Sequence, residues 1–73
     1  MNDREVLIDY TNWRGERAVR RIEPKRMWFG ITTFHSAPQW FVNATDSVTG
    51  QIRDFAMKDI HDWKPASEAT TNG

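Results

Sequence analysis

The sequence predicts an all-β fold, either a compact five-stranded barrel or a strongly bent antiparallel sheet. Residues 5–11 and 39–46 alternate along the chain with the period of two that marks a β-strand. Turn-forming residues recur at intervals of roughly 8–12 residues, as in small all-β domains. No segment carries the apolar stripe of a long amphipathic helix.

The first two predicted strands form a hairpin. Residues 5–11 make the first strand, and Gly15 supplies a positive φ at no steric cost in the turn that follows. Residues 17–23 return as the second strand. Pro24 is expected to end that strand, because proline has no N–H group to donate to a neighbouring strand.

The second half of the chain predicts another hairpin. Residues 39–46 and 51–57 flank a turn that ends in Gly50. Trp40 and Phe55 occupy positions that we expect to face the core. A short apolar run and an irregular segment precede this hairpin.

The end of the chain is harder to classify. Residues 58–63 fit either a turn of helix or a last short strand. From residue 64 the composition becomes polar and small, which favours a disordered C-terminal tail over residues 64–73. We therefore expect one β-barrel domain over residues 1–63.

Composition narrows the function classes. Ten Lys and Arg balance ten Asp and Glu, so the net charge is zero and the chain is not a strongly basic nucleic-acid module. The same balance removes one barrier to self-association. No run approaches the ~18 apolar residues that span a bilayer, and no export signal or cysteine is present. We expect a cytoplasmic protein that does not associate with membranes.

The sequence offers no recognisable catalytic or metal centre. Its two histidines, His35 and His61, lack the spacing of metal ligands, and there are no cysteines to supply thiolates. Isolated glycines form no phosphate-binding loop, and no serine lies in a nucleophile elbow. We expect no enzyme activity, no cofactor and no metal.

A basic cluster over residues 14–26 is the strongest functional signal. Five of its six cations are arginine, which captures phosphate or carboxylate with two parallel hydrogen bonds. Trp13 and Trp28 flank the cluster, and cations among aromatics are typical of single-stranded nucleic-acid binders. Alternatively, the arginines form the solvated face of an edge strand and pair with carboxylates. Trp13 can equally be a contact residue or a cover for the core.

The order of several short motifs resembles the WYL domain of bacterial regulators over about residues 5–63. The match consists of an apolar strand ending in Tyr10, Gly15, Arg20 or Arg21 before Pro24, the run Trp40-Phe41-Val42, Gly50, and Arg53-x-Phe55 leading to Ile60. The central triplet departs from Trp-Tyr-Leu, so the tyrosine hydroxyl is missing at Phe41. The helix-turn-helix usual in that family is also absent, which implies a free-standing or diverged relative.

The resemblance implies an SH3-like or Sm-like β-barrel with a ligand-sensing role in bacterial or phage transcription regulation. It implies nucleic acids or nucleotides as ligands, contacted by Tyr10, Arg20, Arg21, Trp40, Phe41 and Arg53. Independently, Arg53 shares a strand face with apolar Phe55, so it must be paired, partly desolvated or directed at a ligand. A secondary basic and aromatic surface comprises Trp13, Arg14, Arg17, Arg26 and Trp28.

Two functions therefore remain open from the sequence. The first is a non-catalytic module that binds an anionic ligand, such as single-stranded nucleic acid or a nucleotide. The second is a protein-interaction or homo-oligomeric assembly module with no small ligand.

Overall fold

A computed structural model describes residues 4–69 of the 73-residue chain. Over those residues the elements are β1 Val6–Thr11, β2 Arg17–Gly30, β3 Gln39–Asp46, β4 Ile52–Ala56, a 3-10 turn Met57–Asp59, β5 Ile60–Pro65 and α1 Ala66–Ala69. The strands form one sheet in the order β4-β3-β2-β1-β5, and every neighbouring pair is antiparallel. The predicted all-β fold with five strands is confirmed.

The sheet bends until β1 and β4 touch. These strands are three places apart in the sheet, which would separate them by roughly 14 Å if it were flat. Instead, the ring centroids of Tyr10 and Phe55 are 5.0 Å apart, edge to face. The Tyr10 hydroxyl also accepts the backbone N–H of Ala56 at 3.2 Å. Over residues 4–69 strands β4 and β5 do not pair, so the sheet is strongly bent and not closed into a barrel.

Strand β2 creates the bend because it changes partners along its length. Its first half pairs with β1 as far as Ile22, and its second half pairs with β3 from Ile22 onward. The prediction that Pro24 ends this strand is wrong. The β2–β3 register shifts between Pro24 and Arg26, and a bulge of this kind tolerates a residue without an N–H group.

The concave face of the bent sheet carries the core. Its buried cluster consists of Ile8, Tyr10, Ile22, Val42, Ala44 and Phe55. Phe55 is therefore a core residue, as predicted. Trp40 lies on the same face of β3 as Val42 and Ala44, but it is 53% exposed, so the prediction that it belongs to the core is wrong. Pairing with β4 reaches only to Phe41, so Trp40 lies beyond the covered part of β3.

A second, smaller packing group lies on the convex face. Phe41 is fully buried there, stacked on Trp28 with ring centroids 4.9 Å apart and contacted edge-on by His35 at 5.6 Å. Gly30 leaves space for the Trp28 ring, since a Cβ atom at Gly30 would lie 2.6 Å from Trp28 Cζ3. The segment between β2 and β3, residues 31–38, thus folds back over the convex face.

The ordered chain continues past the predicted domain boundary at residue 63. Residues 58–63, which fit either a turn of helix or a short strand, include both. The 3-10 turn Met57–Asp59 is followed by strand β5, which extends to Pro65. The predicted tail from residue 64 is therefore corrected for residues 64–69. Ala66 is buried and donates its N–H to the carbonyl of Glu5 at 3.0 Å, so α1 is tied to the start of β1. Residues 70–73 of the predicted tail lie outside the described residues.

Replacing Gly30 with alanine should destabilise the fold by about 1–3 kcal/mol, because the added methyl group displaces a packed ring. Urea unfolding followed by tryptophan fluorescence measures the change. In a Trp28→Leu background the smaller side chain should accept the methyl group, so Gly30→Ala should become nearly neutral there. An equal cost in both backgrounds would contradict the proposed contact.

Candidate functional site

An open cleft of about 760 Å³ lies at the end of the bent sheet. It is lined by Tyr10 and Arg20, by Asn12 and Trp13 of the first turn, by residues 32–35, and by residues 50–55. We call this set the binding cleft. Its volume falls within the range of ligand pockets in proteins.

Three of the six predicted ligand-binding residues line the binding cleft: Tyr10, Arg20 and Arg53. Ile8 pairs with Arg20 and Ala44 pairs with Arg53, which places both arginines on the concave face. Burial raises the pKa of Tyr10, so its hydroxyl stays neutral at the wall of the cleft. Two cations and a phenol therefore converge on one concavity.

The buried carboxylate of Asp46 pairs with Arg20. The carboxylate is almost fully buried, and its Oδ2 lies 3.5 Å from Arg20 Nη1. Its Oδ1 accepts the N–H groups of Val48 at 2.9 Å and Thr49 at 3.1 Å. Burial acts to raise the pKa of Asp46, but these hydrogen bonds and the charge of Arg20 outweigh it and lower the pKa. The long contact leaves most of the Arg20 donors for another acceptor.

Unlike Arg20 and Arg21, Arg53 has no ion pair within residues 4–69. Its side chain is exposed and faces the binding cleft, in the same concave row as Phe55. Within residues 4–69 the Arg53 guanidinium is therefore exposed and without an ion pair, at the border of the cleft.

The other three predicted residues lie elsewhere. Arg21 is on the convex face, where its Nη1 pairs with Glu5 Oε1 at 3.2 Å. Phe41 is buried under Trp28, and Trp40 packs edge-on against Phe29 with ring centroids 5.5 Å apart. Of the two alternatives Arg20 and Arg21, the structure places Arg20 in the lining of the cleft and Arg21 outside it.

Part of the predicted secondary surface joins the cleft. Trp13 lines it and stacks on Phe34, with ring centroids 5.0 Å apart and an interplanar angle of 18°. The Arg14 guanidinium lies 5.2 Å from the Trp13 ring centroid, within the range of cation–π attraction. Trp13 is 54% exposed and Phe34 is 60% exposed, so much of this aromatic pair is open to solvent.

The rest of the secondary surface does not line the cleft. Arg17 is neutralised by Asp9, which accepts from its Nε at 2.8 Å and its Nη2 at 2.9 Å. Arg26 is exposed and has no ion pair among the described residues. Trp28 belongs to the convex packing group. Of these two arginines, Arg17 is paired with a carboxylate and Arg26 has no ion pair within residues 4–69.

Sequence reasoning missed Phe34 and Asp54, which also line the binding cleft. Phe34 lies in a loop that the sequence marks only as irregular, although a large aromatic in a connecting segment is itself a signal of function. For Asp54 the sequence indicates only a carboxylate that could pair with the arginines of the basic cluster. Here its Oδ1 accepts hydrogen bonds from Trp28 Nε1 at 2.8 Å and Asn43 Nδ2 at 3.0 Å.

The model of the WYL domain family matches residues 1–65 of the 73-residue chain. The chain therefore belongs to the WYL domain family, whose members are regulatory modules that sense or bind ligands. Comparison with curated proteins and with solved structures found no match. Within residues 4–69, no helix has the length and apolar character needed to cross a bilayer.

The lowered pKa of Asp46 predicts a loss of stability in acid. A carboxyl group whose pKa is depressed by folding contributes stability above its unfolded pKa of about 4. That contribution disappears as the pH falls through the lower, folded pKa. Urea unfolding between about pH 7 and about pH 2 should show a smaller loss for Asp46→Asn, whose amide oxygen still accepts the same N–H groups. Equal pH dependence in both proteins would contradict this role of Asp46.

Proposed function

We propose that this domain is a non-catalytic sensor that binds an anionic ligand, a nucleic acid or a nucleotide, in the binding cleft. The observation that carries the proposal is the convergence of Arg20 and Arg53 with Tyr10 and the Trp13–Phe34 stack on one concavity. Within a cytoplasmic transcription regulator, such a domain would report the presence of its ligand.

The chemistry of the cleft supports this class of ligand. Guanidinium groups bind phosphate oxygens with charge-assisted hydrogen bonds, which are about twice as strong as neutral ones. Exposed aromatic rings stack on bases at about 1–3 kcal/mol per base. Because the net charge is zero, attraction of an anion must come from local placement of the arginines.

The exposed and unpaired state of Arg53 supports the proposal further. Arg17 and Arg21 each have a carboxylate partner on the convex face, whereas Arg53 has none within residues 4–69. A cation left unpaired on the rim of an apolar core contributes little to folding. A bound anion supplies the charge partner that Arg53 lacks within residues 4–69.

Arg53→Ala should weaken binding of a single-stranded DNA of about ten nucleotides by about tenfold, the usual effect of losing one hydrogen bond between charged groups. Fluorescence titration at about 20 mM salt measures the affinity, which should fall steeply by about 200 mM. Arg26→Ala removes the same charge outside the cleft and should have a much smaller effect. Binding that is absent at low salt, indifferent to salt, or equally sensitive to both substitutions would contradict the proposal.

A second candidate function is self-association, favoured by an apolar surface at the end of the β2–β3 hairpin. Met27, Phe29 and Trp40 lie on one face of the hairpin, where Phe29 pairs directly with Trp40. Each is more than half exposed. These three residues form the hairpin-tip patch, where the apolar face that carries the core continues past the end of the β3–β4 pairing. Contiguous exposed apolar surface often marks an interaction site.

If the hairpin-tip patch joins two copies, Trp40→Ser should shift a dimer toward monomer at a given concentration, because the substitution removes most of one apolar anchor. Sedimentation velocity over a concentration series measures this shift. Val48→Ser is the matched control, since Val48 is 83% exposed in a distant turn and should not change association. A monomer at every concentration would exclude this second function.

A further inference from the structure

We propose that Asp54 makes the binding cleft selective for nucleobases that carry an exocyclic amine. This inference rests on the proposed function and specifies the ligand within it. Asp54 is an ionisable side chain that lines the cleft beside an unpaired arginine, yet it forms no ion pair within residues 4–69. Its carboxylate is the acidic group among the cleft-lining residues.

The carboxylate is held in place by two donors on neighbouring strands. Trp28 Nε1 donates to Oδ1 at 2.8 Å, and Asn43 Nδ2 donates to the same oxygen at 3.0 Å. Asn43 lies directly opposite Asp54 in the β3–β4 register, and Trp28 is itself fixed by its stack on Phe41. An acceptor fixed by packed partners is preorganised for a ligand.

Only one of the two carboxylate oxygens of Asp54 is used by these donors. Both hydrogen bonds to Asp54 end on Oδ1, and Oδ2 has no hydrogen-bond partner among the described residues. An ionised carboxylate only accepts hydrogen bonds. Whatever approaches Oδ2 from the cleft must therefore bring a donor.

Arg53 and Asp54 are expected to contact different parts of the ligand. As adjacent strand residues they point to opposite faces of β4, which is an edge strand, and both are among the residues that line the cleft. A phosphate is attracted to Arg20 and Arg53 and repelled by Asp54. The phosphate end of a nucleotide should thus lie on the concave side, and its base should lie toward Asp54.

Base chemistry then determines selectivity. Cytosine and adenine present an amino group at the base edge, and a carboxylate accepts well from such a group. Uracil and thymine present a carbonyl oxygen at the corresponding position, which the carboxylate repels. If Asp54 served only to satisfy Trp28 and Asn43, the cleft would bind both kinds of base alike.

The test compares oligodeoxycytidine with oligodeoxyuridine, each of about ten nucleotides, by fluorescence titration at low salt and about pH 8. The two strands differ in the base edge and share their backbone charge. The native protein should bind the cytidine strand about tenfold more tightly, the effect of one hydrogen bond to a charged group.

Asp54→Asn supplies the decisive variant. Its amide oxygen can still accept from Trp28 and Asn43, but the remaining position becomes a donor, so the preference for cytidine should vanish or reverse. Asp62→Asn makes the same change of charge on exposed β5, outside the cleft, and should raise affinity for both strands equally while keeping their ratio.

The outcomes separate this inference from the proposed function. If neither strand binds, the proposed function fails. If the native protein binds both strands equally, or if folded Asp54→Asn keeps the tenfold ratio, the selectivity assigned to Asp54 is wrong while the binding function stands. Urea unfolding establishes whether Asp54→Asn is folded, and if it is not, the ratio measured on the native protein decides the inference.

Discussion

The contact between Tyr10 and strand β4 is the interaction on which the rest of the structure depends. It brings together two strands that are three places apart in the sheet, so it fixes the bend that encloses the core. The hydroxyl of Tyr10 satisfies the buried N–H of Ala56, and the ring packs edge-on against Phe55. Because Tyr10 also lines the cleft, the same contact shapes the core and the candidate site. The depth of the cleft is therefore a consequence of how the sheet folds over.

The alternation of side chains along β2 places its arginines on opposite faces with different carboxylate partners. Arg17 and Arg21 lie on the convex face, where Asp9 and Glu5 neutralise them. Arg20 lies between them in sequence and points to the opposite face, where a buried carboxylate anchors it at longer range. In a chain with zero net charge, the cleft thus contains one arginine paired at long range and one without an ion pair within residues 4–69.

Much of the fold could be predicted from the sequence because strand periodicity is local information. Strand β3 has the predicted bounds, Gln39–Asp46, and the turn before β4 ends in Gly50 as expected, where φ is +78°. The continuation of β2 through Pro24 could not be predicted, because it depends on where two neighbouring strands begin to pair. The burial of Phe41 and the exposure of Trp40 also follow from long-range packing. Both faces of β3 are covered, each over a different length, so alternation alone cannot identify the buried face.

The candidate site was predictable only where it lies on strands. Tyr10, Arg20 and Arg53 are strand residues that the resemblance to the WYL family indicates, and the family match confirms that resemblance. Periodicity alone did not separate Arg20 from Arg21, because a shift of one residue in register exchanges their faces. Phe34 reaches the cleft because a loop folds back toward the first turn, and no local pattern encodes that approach.

Asp54 shows why an edge strand suits a binding site. In the interior of a sheet, adjacent residues point to opposite faces and cannot serve the same concavity. At the edge no further strand blocks the space beside β4, so Arg53 from the concave face and Asp54 from the convex face both border the cleft. Because the two side chains point to opposite faces, they do not pair: Asp54 accepts from neutral donors, and Arg53 has no ion pair within residues 4–69. A cation and an acceptor thus remain separate at the same edge of the sheet. It is the arrangement that a ligand with an anionic end and a hydrogen-bond donor end requires.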